Sequence, residues 1–145
     1  MKNSAVFSCE ISTTDPAAAL GCEIWLDHAQ LFDSAHVTET VKVRQAFEDF
    51  DGDHVLRIVM KNKQSDHTTV DAQGQIVKDA CLTVNSVAFD DIGLGHVLAE
   101  QAVYEHDFNG TAEPTQQKFY GTLGCNGTVT LSFTSPIYMW LLENM

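Results

Sequence analysis

Between Val37 and Met60 apolar residues recur with a period of two, and this alternation most limits what the chain can fold into. The stretch passes through Val41, Val43 and Phe47, reaches Asp51-Gly52, and continues as Val55-Leu56-Arg57-Ile58-Val59-Met60. An Asp-Gly pair between alternating runs is a strong hairpin signal, because a type I′ turn needs positive φ at both central residues. With Asp51 and Gly52 as the loop, Phe47 is expected opposite Leu56, Gln45 opposite Ile58 and Val43 opposite Met60. Lys42, Arg44 and Glu48 then face away. A slip of one residue would turn every apolar side chain to the wrong face, so the inward set is well specified.

The same alternation returns along the chain. Phe7 and Cys9 oppose Ser8 and Glu10 within Val6–Ile11, and Thr13-Thr14-Asp15-Pro16 breaks that run. Asp15 and Pro16 suit the start of a helical turn over Ala17–Leu20. Glu23–Asp27 reads as a strand, with Leu31 and Phe32 either extending it or opening a loop. Asp66–Val70 suits an edge strand, and Asp71-Ala72-Gln73-Gly74 has the chemistry of a type I turn followed by a left-handed glycine. In Ile76–Phe89 the apolar phase changes at Asn85-Ser86, which predicts a bulge or a segment buried on both faces. Val97–Tyr104 fits either a strand or a helical turn. Asn109-Gly110 and Asn126-Gly127 are further turn signals. With the second as a two-residue loop, Tyr120 is expected opposite Phe133, Thr122 opposite Leu131 and Gly124 opposite Val129. Ser135-Pro136 then starts a short terminal helix that places Ile137, Trp140 and Leu141 on one face. That face either plugs an end of the fold or docks on another subunit.

Many short strands, turns of Gly, Asn and Asp, and no βαβ pattern predict a single all-β domain over residues 1–145. Its expected form is an antiparallel β-sandwich, jelly-roll-like, with a short C-terminal helix. A chain of 145 residues, 44% apolar, is long enough to bury one core without a staple. The formal charge of −12 argues against nucleic acid, whose phosphates such a field repels, and favours cations or a basic protein surface. No run has the length of a membrane span. The opening Met1–Cys9 has no apolar core of a secretory signal, so cytoplasmic synthesis and reduced thiols at Cys9, Cys22, Cys81 and Cys125 are expected.

Catalytic chemistry has no signature here. His28, His36, His54, His67, His96 and His106 never fall at metalloprotease spacing, and no nucleophile elbow surrounds a Ser or Cys. The chain is therefore read as a non-enzyme. Asp49, Asp51 and Asp53 alternate as the first carboxylates of a calcium loop do, although His54 and Met60 stand where the full EF-hand pattern needs Gly and Glu. Asp90-Asp91 and Glu105-His106-Asp107 form a second acidic group, able to hold a cation if the fold gathers their turns. Trp25 and Tyr104 are the aromatics proposed for stacking on sugar rings.

Leu56–Lys63, Asp71–Asp79 and Val84–Ile92, read together with the ending Ser135–Met145, resemble small β-sandwich proteins of tailed bacteriophages, particularly marine and cyanobacterial ones. Those proteins are similar to calcium-dependent carbohydrate-binding modules. The resemblance implies a non-catalytic virion structural or assembly protein, homo-oligomeric or part of a larger virion assembly, with Ile137, Trp140 and Leu141 at subunit interfaces. Its alternative implication is a calcium-dependent carbohydrate-binding module; the resemblance maps no metal ligand onto this chain, and it is the residues' own pattern that offers Asp49, Asp51 and Asp53 for the metal and Trp25 and Tyr104 for the glycan.

Overall fold

A computed structural model describes residues 4–49, 51–63, 68–107 and 113–144, which form two antiparallel sheets packed face to face. The first contains β1 (Ser4–Thr13), β4 (Val41–Glu48), β8 (Leu82–Phe89), β9 (Ile92–Gly93) and β12 (Thr122–Leu123), ordered β12-β8-β1-β4 with β9 also on β8. The second contains β2 (Gly21–Leu26), β3 (Ala29–Ser34), β5 (Gly52–Lys61), β10 (Val103–His106), β11 (Thr115–Lys118) and β13 (Gly127–Ser135). Its order is β11-β10-β13-β5-β2-β3. β6 (Thr68–Val70) and β7 (Ile76–Asp79) pair separately, and the helices are α1 (His96–Gln101) and α2 (Ile137–Asn144). The all-β sandwich with a short terminal helix is the observed fold.

The alternating runs supply the core. Phe7, Cys9, Ile11, Val43, Phe47 and Phe89 point inward from the first sheet, and Ile24, Leu56, Ile58, Met60, Leu131 and Phe133 from the second. Phe133 bridges the layers, its ring centroid 4.9 Å from Phe89 and 6.4 Å from Phe47. Aromatic pairs at such spacings add to the gain from area burial.

Both hairpins expected from sequence are corrected. β4 does not pair with β5: it pairs with β1, Phe47 opposite Ala5 and Val43 opposite Cys9. β5 crosses to the other sheet and lies between β13 and β2, Leu56 opposite Leu131 and Leu26. β12 likewise pairs with β8, not with β13. Val43, Phe47, Leu56, Ile58, Met60, Leu131 and Phe133 are nonetheless buried in one core, shared between the sheets instead of lined along one ladder. Tyr120, expected inward, is 79% exposed.

Where tight two-residue hairpins do occur, aspartate supplies the positive φ. Asp90 and Asp91 take φ of 51° and 65° between Phe89 and its partner Ile92. Asp27, at φ 53°, opens the Asp27-His28 turn between β2 and β3. The Asp71–Gly74 turn forms as expected, with Gly74 at φ 81° and the Asp71 carboxylate accepting from the Gln73 and Gln75 N–H groups. The phase change at Asn85-Ser86 is a bulge. The β1–β8 register jumps between Ser8–Ala88 and Glu10–Asn85, with Ser86 at φ 56°. Ala17–Leu20 forms turns rather than a helix, although Asp15 caps it by accepting from the Ala17 N–H. Val97–Tyr104 divides between α1 and β10. Residues 66 and 67 of the expected edge strand, and the Asn109-Gly110 turn, lie outside the described residues.

Candidate functional site

The end of the sandwich carrying α2 concentrates the features that sequence singled out. Ser135-Pro136 stops β13, and the chain turns into α2 across that end. Ile137, Trp140 and Leu141 sit in the core, Trp140 edge-on to Phe133 at 6.0 Å. The proposed interface residues are therefore internal packing, a correction with a simple cause. A helix this short has no stability of its own and must bury its most apolar stripe. The opposite stripe is apolar as well: Tyr138 is 53% exposed, Met139 55% and Leu142 77%.

Two acidic turns converge on α2. Asp49 is buried at the helix N-terminus, where its carboxylate accepts hydrogen bonds from Ser135 Oγ and from the Ile137 N–H at 3.4 Å. A carboxylate there satisfies an orphan amide and favours the positive end of the helix dipole. Asp90 accepts from Tyr138 Oη at 2.8 Å and from the Val6 N–H at 2.7 Å. That bond raises the Tyr138 phenol above its ordinary value, since the anion would face a carboxylate. Asp91 turns outward to Arg44 at 2.7 Å, and the guanidinium holds its carboxyl below the ordinary range.

The three aspartates proposed for calcium are divided by this arrangement. Asp49 is used inside as a cap, whereas Asp51 and Asp53 are exposed. Among the described residues, no three His, Cys, Asp or Glu side chains gather in a way that could hold a metal ion. Glu105, His106 and Asp107 do not join Asp90-Asp91, because His106 pairs with Gly127 at the far end of β13 from α2.

Behind α2, His54 is buried with its ring stacked on Phe133 at 5.3 Å, and its Nδ1 lies 2.7 Å from Asp27 Oδ2. A cleft of about 350 Å³ opens beside these rings, lined by Asp53, His54, Phe133, Thr134 and Trp140 among others.

The two sugar-stacking candidates part company. Tyr104 is corrected to a core residue, 5% exposed, its hydroxyl donating to the Cys125 carbonyl and accepting from the Cys125 N–H at 2.9 Å. Trp25 is half-buried on the outer face of the six-stranded sheet, its Nε1 donating to Glu23 at 3.3 Å. It lies on one rung that crosses all six strands: Gln30, Trp25, Arg57, Thr130, Val103 and Lys118. A shallow groove of about 490 Å³ runs over that face, with Arg57, Glu105, Gln116 and Thr130 among its lining residues. Sequence reasoning missed this groove, since it follows from the order of strands in the sheet.

All four cysteines are free thiols. Burial pushes Cys9 and Cys22 up to about 12 and Cys81 to about 11. Protonated thiols are poor nucleophiles, so none of these three is tuned for attack. Among the described residues no helix is long and apolar enough to cross a membrane.

The fold and site define an all-β sandwich whose terminal helix is apolar on both faces. No family model, curated protein or solved structure matches the chain.

Proposed function

We propose that this chain is a non-catalytic, protein-binding sandwich, a structural or assembly component of the virion type, which docks through the outer face of α2. One observation carries the reading. Tyr138, Met139 and Leu142 remain exposed on a helix whose other face is already fully used in the core. Single exposed apolar residues are common, but three on one short helix make a patch of the kind that partners cover. The charge of −12 keeps free copies apart until salt or a partner screens it. Sedimentation velocity over a salt series, for the natural chain and for Leu142→Ser, tests this. Association that grows with salt and is lost in the variant is the expected result. A monomer at every ionic strength that captures no virion component overturns it.

A second reading is supported by the groove on the six-stranded sheet, lined by amide, hydroxyl and charged groups suited to a glycan, with Trp25 on the same sheet opposite the lining residue Arg57. In this reading the module needs no calcium. Binding on a glycan array, equal in calcium and in chelator and abolished by Trp25→Ala, is its expected signature. A blank array removes it.

A further inference from the structure

We infer that copies of this chain join head to tail, the β6–β7 ribbon of one docking through Val70 and Ile76 on the Tyr138, Met139 and Leu142 stripe of the next. The inference rests on the α2 docking reading and names the occupant of that stripe. Among the described residues β6 and β7 pair with each other and with neither main sheet. Val70 stands directly opposite Ile76 in their register, so the two side chains share one face of the ribbon. Val70 is 55% exposed and Ile76 64%. A two-stranded ribbon is marginal in water unless it packs on something, and this one presents its apolar pair uncovered.

Ribbon and stripe belong to opposite ends of the sandwich. β5 starts at the α2 end with Gly52 opposite Ser135, and reaches the other end with Met60 opposite Gly127. Just beyond, Lys63 donates its backbone N–H to Asn126 at 2.9 Å and its ammonium to Asp79, the last residue of β7. Thr14 Oγ adds a hydrogen bond to the Asp79 carbonyl at 3.1 Å. The root of the ribbon is thereby held about one strand length, roughly 30 Å, from α2. A contact between two different patches at opposite ends repeats from copy to copy. It closes into a ring or continues as a filament, according to the rotation between neighbours.

Charge separates this arrangement from a symmetric pairing of two α2 stripes. The symmetric contact would bring together, from both copies, the Asp90 carboxylate bonded to Tyr138 and the exposed Glu143. Between Val70 and Ile76 the ribbon carries one carboxylate, Asp71, already engaged by the Gln73 and Gln75 N–H groups, and its other turn residues are neutral. The ribbon therefore meets less repulsion at the acidic α2 end than a second α2 does.

The test mixes two variants in sedimentation velocity at the salt concentration where the natural chain associates. Val70→Thr with Ile76→Thr keeps β-branching while removing apolar surface from the ribbon, and Leu142→Ser removes it from the stripe. Each variant alone is expected to associate about tenfold more weakly, or less still. Mixed in equal amounts they should form a dimer and nothing larger, since Leu142→Ser supplies an intact ribbon and the threonine variant an intact stripe. That rescue holds even if the altered ribbon or the altered stripe loses its structure, because the dimer uses neither. Two weakened variants that fail to rescue each other overturn the head-to-tail contact. If the threonine variant associates as the natural chain does while Leu142→Ser does not, the ribbon is the wrong occupant and α2 docking stands. If Leu142→Ser associates normally, or the natural chain is a monomer at every ionic strength, the inference falls together with α2 self-association.

Discussion

Asp27 Oδ2 lies 2.7 Å from His54 Nδ1, and the same carboxylate accepts from the Val55 N–H through Oδ1 at 2.9 Å. A turn residue of one strand pair thereby fixes a buried imidazole of the next strand. Burial alone raises the Asp27 carboxyl, but the bonds from His54 and Val55 and the charge of the neighbouring histidines outweigh it and leave it below its ordinary value.

A depressed folded pKa means that the stabilisation is in force above the ordinary carboxylate range and fades as pH falls through the lower folded value. Asn tolerates the left-handed conformation that Asp27 adopts, so Asp27→Asn removes the charge with little backbone cost. Urea denaturation at neutral pH should show a loss of about 1–2 kcal/mol. Asp27 is partly exposed, which screens the ionic share and keeps the value at this size. The gap between the two chains should narrow as pH falls below the ordinary carboxylate range and close once Asp27 is protonated in the folded chain. A gap that stays constant with pH would assign the effect to packing.

Asp49, Asp51 and Asp53 look equivalent in sequence and should behave unequally. Asp49→Ala removes the cap of α2 and is expected to cost about 1–2 kcal/mol, with faster amide exchange over residues 137–144. Asp51→Ala and Asp53→Ala should stay within about 0.5 kcal/mol in thermal or urea unfolding. Equal losses at all three positions would mean that a shared ligand, not a cap, sets their importance.

Gly127 is a close-approach glycine. A Cβ there would meet the Glu105 carbonyl oxygen and the His106 Cβ at 2.8 Å. Backbone cannot move aside as a flexible side chain does, so Gly127→Ala should destabilise by about 2 kcal/mol or more. Gly93→Ala, with open space around it, is the matched comparison and should change little. Equal melting shifts in the two variants would sink this account.

Thiol labelling follows from burial. In the folded chain at about pH 8, Cys9 and Cys22 should react with iodoacetamide far more slowly than a model thiol, being both covered and protonated. In urea all four cysteines should label at ordinary rates. Rapid native labelling at Cys9 or Cys22, resolved by mass spectrometry of peptides, would contradict their placement in the core.

Alternation told which side chains face inward, and did so correctly for Phe7, Phe47, Leu56, Ile58, Leu131 and Phe133. It did not tell which strand lies beside which. Two inward-facing strands satisfy one apolar match equally well as neighbours in a sheet or as opposites across a core, so Val43 and Met60 could be matched and yet lie in different sheets. The Asn126-Gly127 signal misled for a further reason. Asn126 brackets the backbone of Lys63, accepting from its N–H at 2.9 Å and donating to its carbonyl at 3.0 Å. Gly127 serves close packing, so neither residue is there for a type I′ turn. At the site, the helix and its inward stripe were legible from Ser135-Pro136 and the spacing of Ile137, Trp140 and Leu141. The outward stripe of Tyr138, Met139 and Leu142 is not legible in the same way, because a helix that is apolar all round shows no periodicity to separate a buried face from an exposed one. The cleft beside Trp140 was invisible, since Asp53 reaches it only through the register of β5 on β13.

The ladder from Gly52–Ser135 to Met60–Gly127 has a consequence for the order in which the protein can be built. A ribosome delivers β5 long before its longest partner, and until β13 emerges the six-stranded sheet has an open gap at its centre, with β2 and β3 on one side only. Non-local pairing of this kind is slow and leaves strand edges exposed meanwhile. β13 and α2, which follow every other element of the sandwich in chain order, therefore close it, and a chain halted shortly before Gly127 has no complete second layer to fold against.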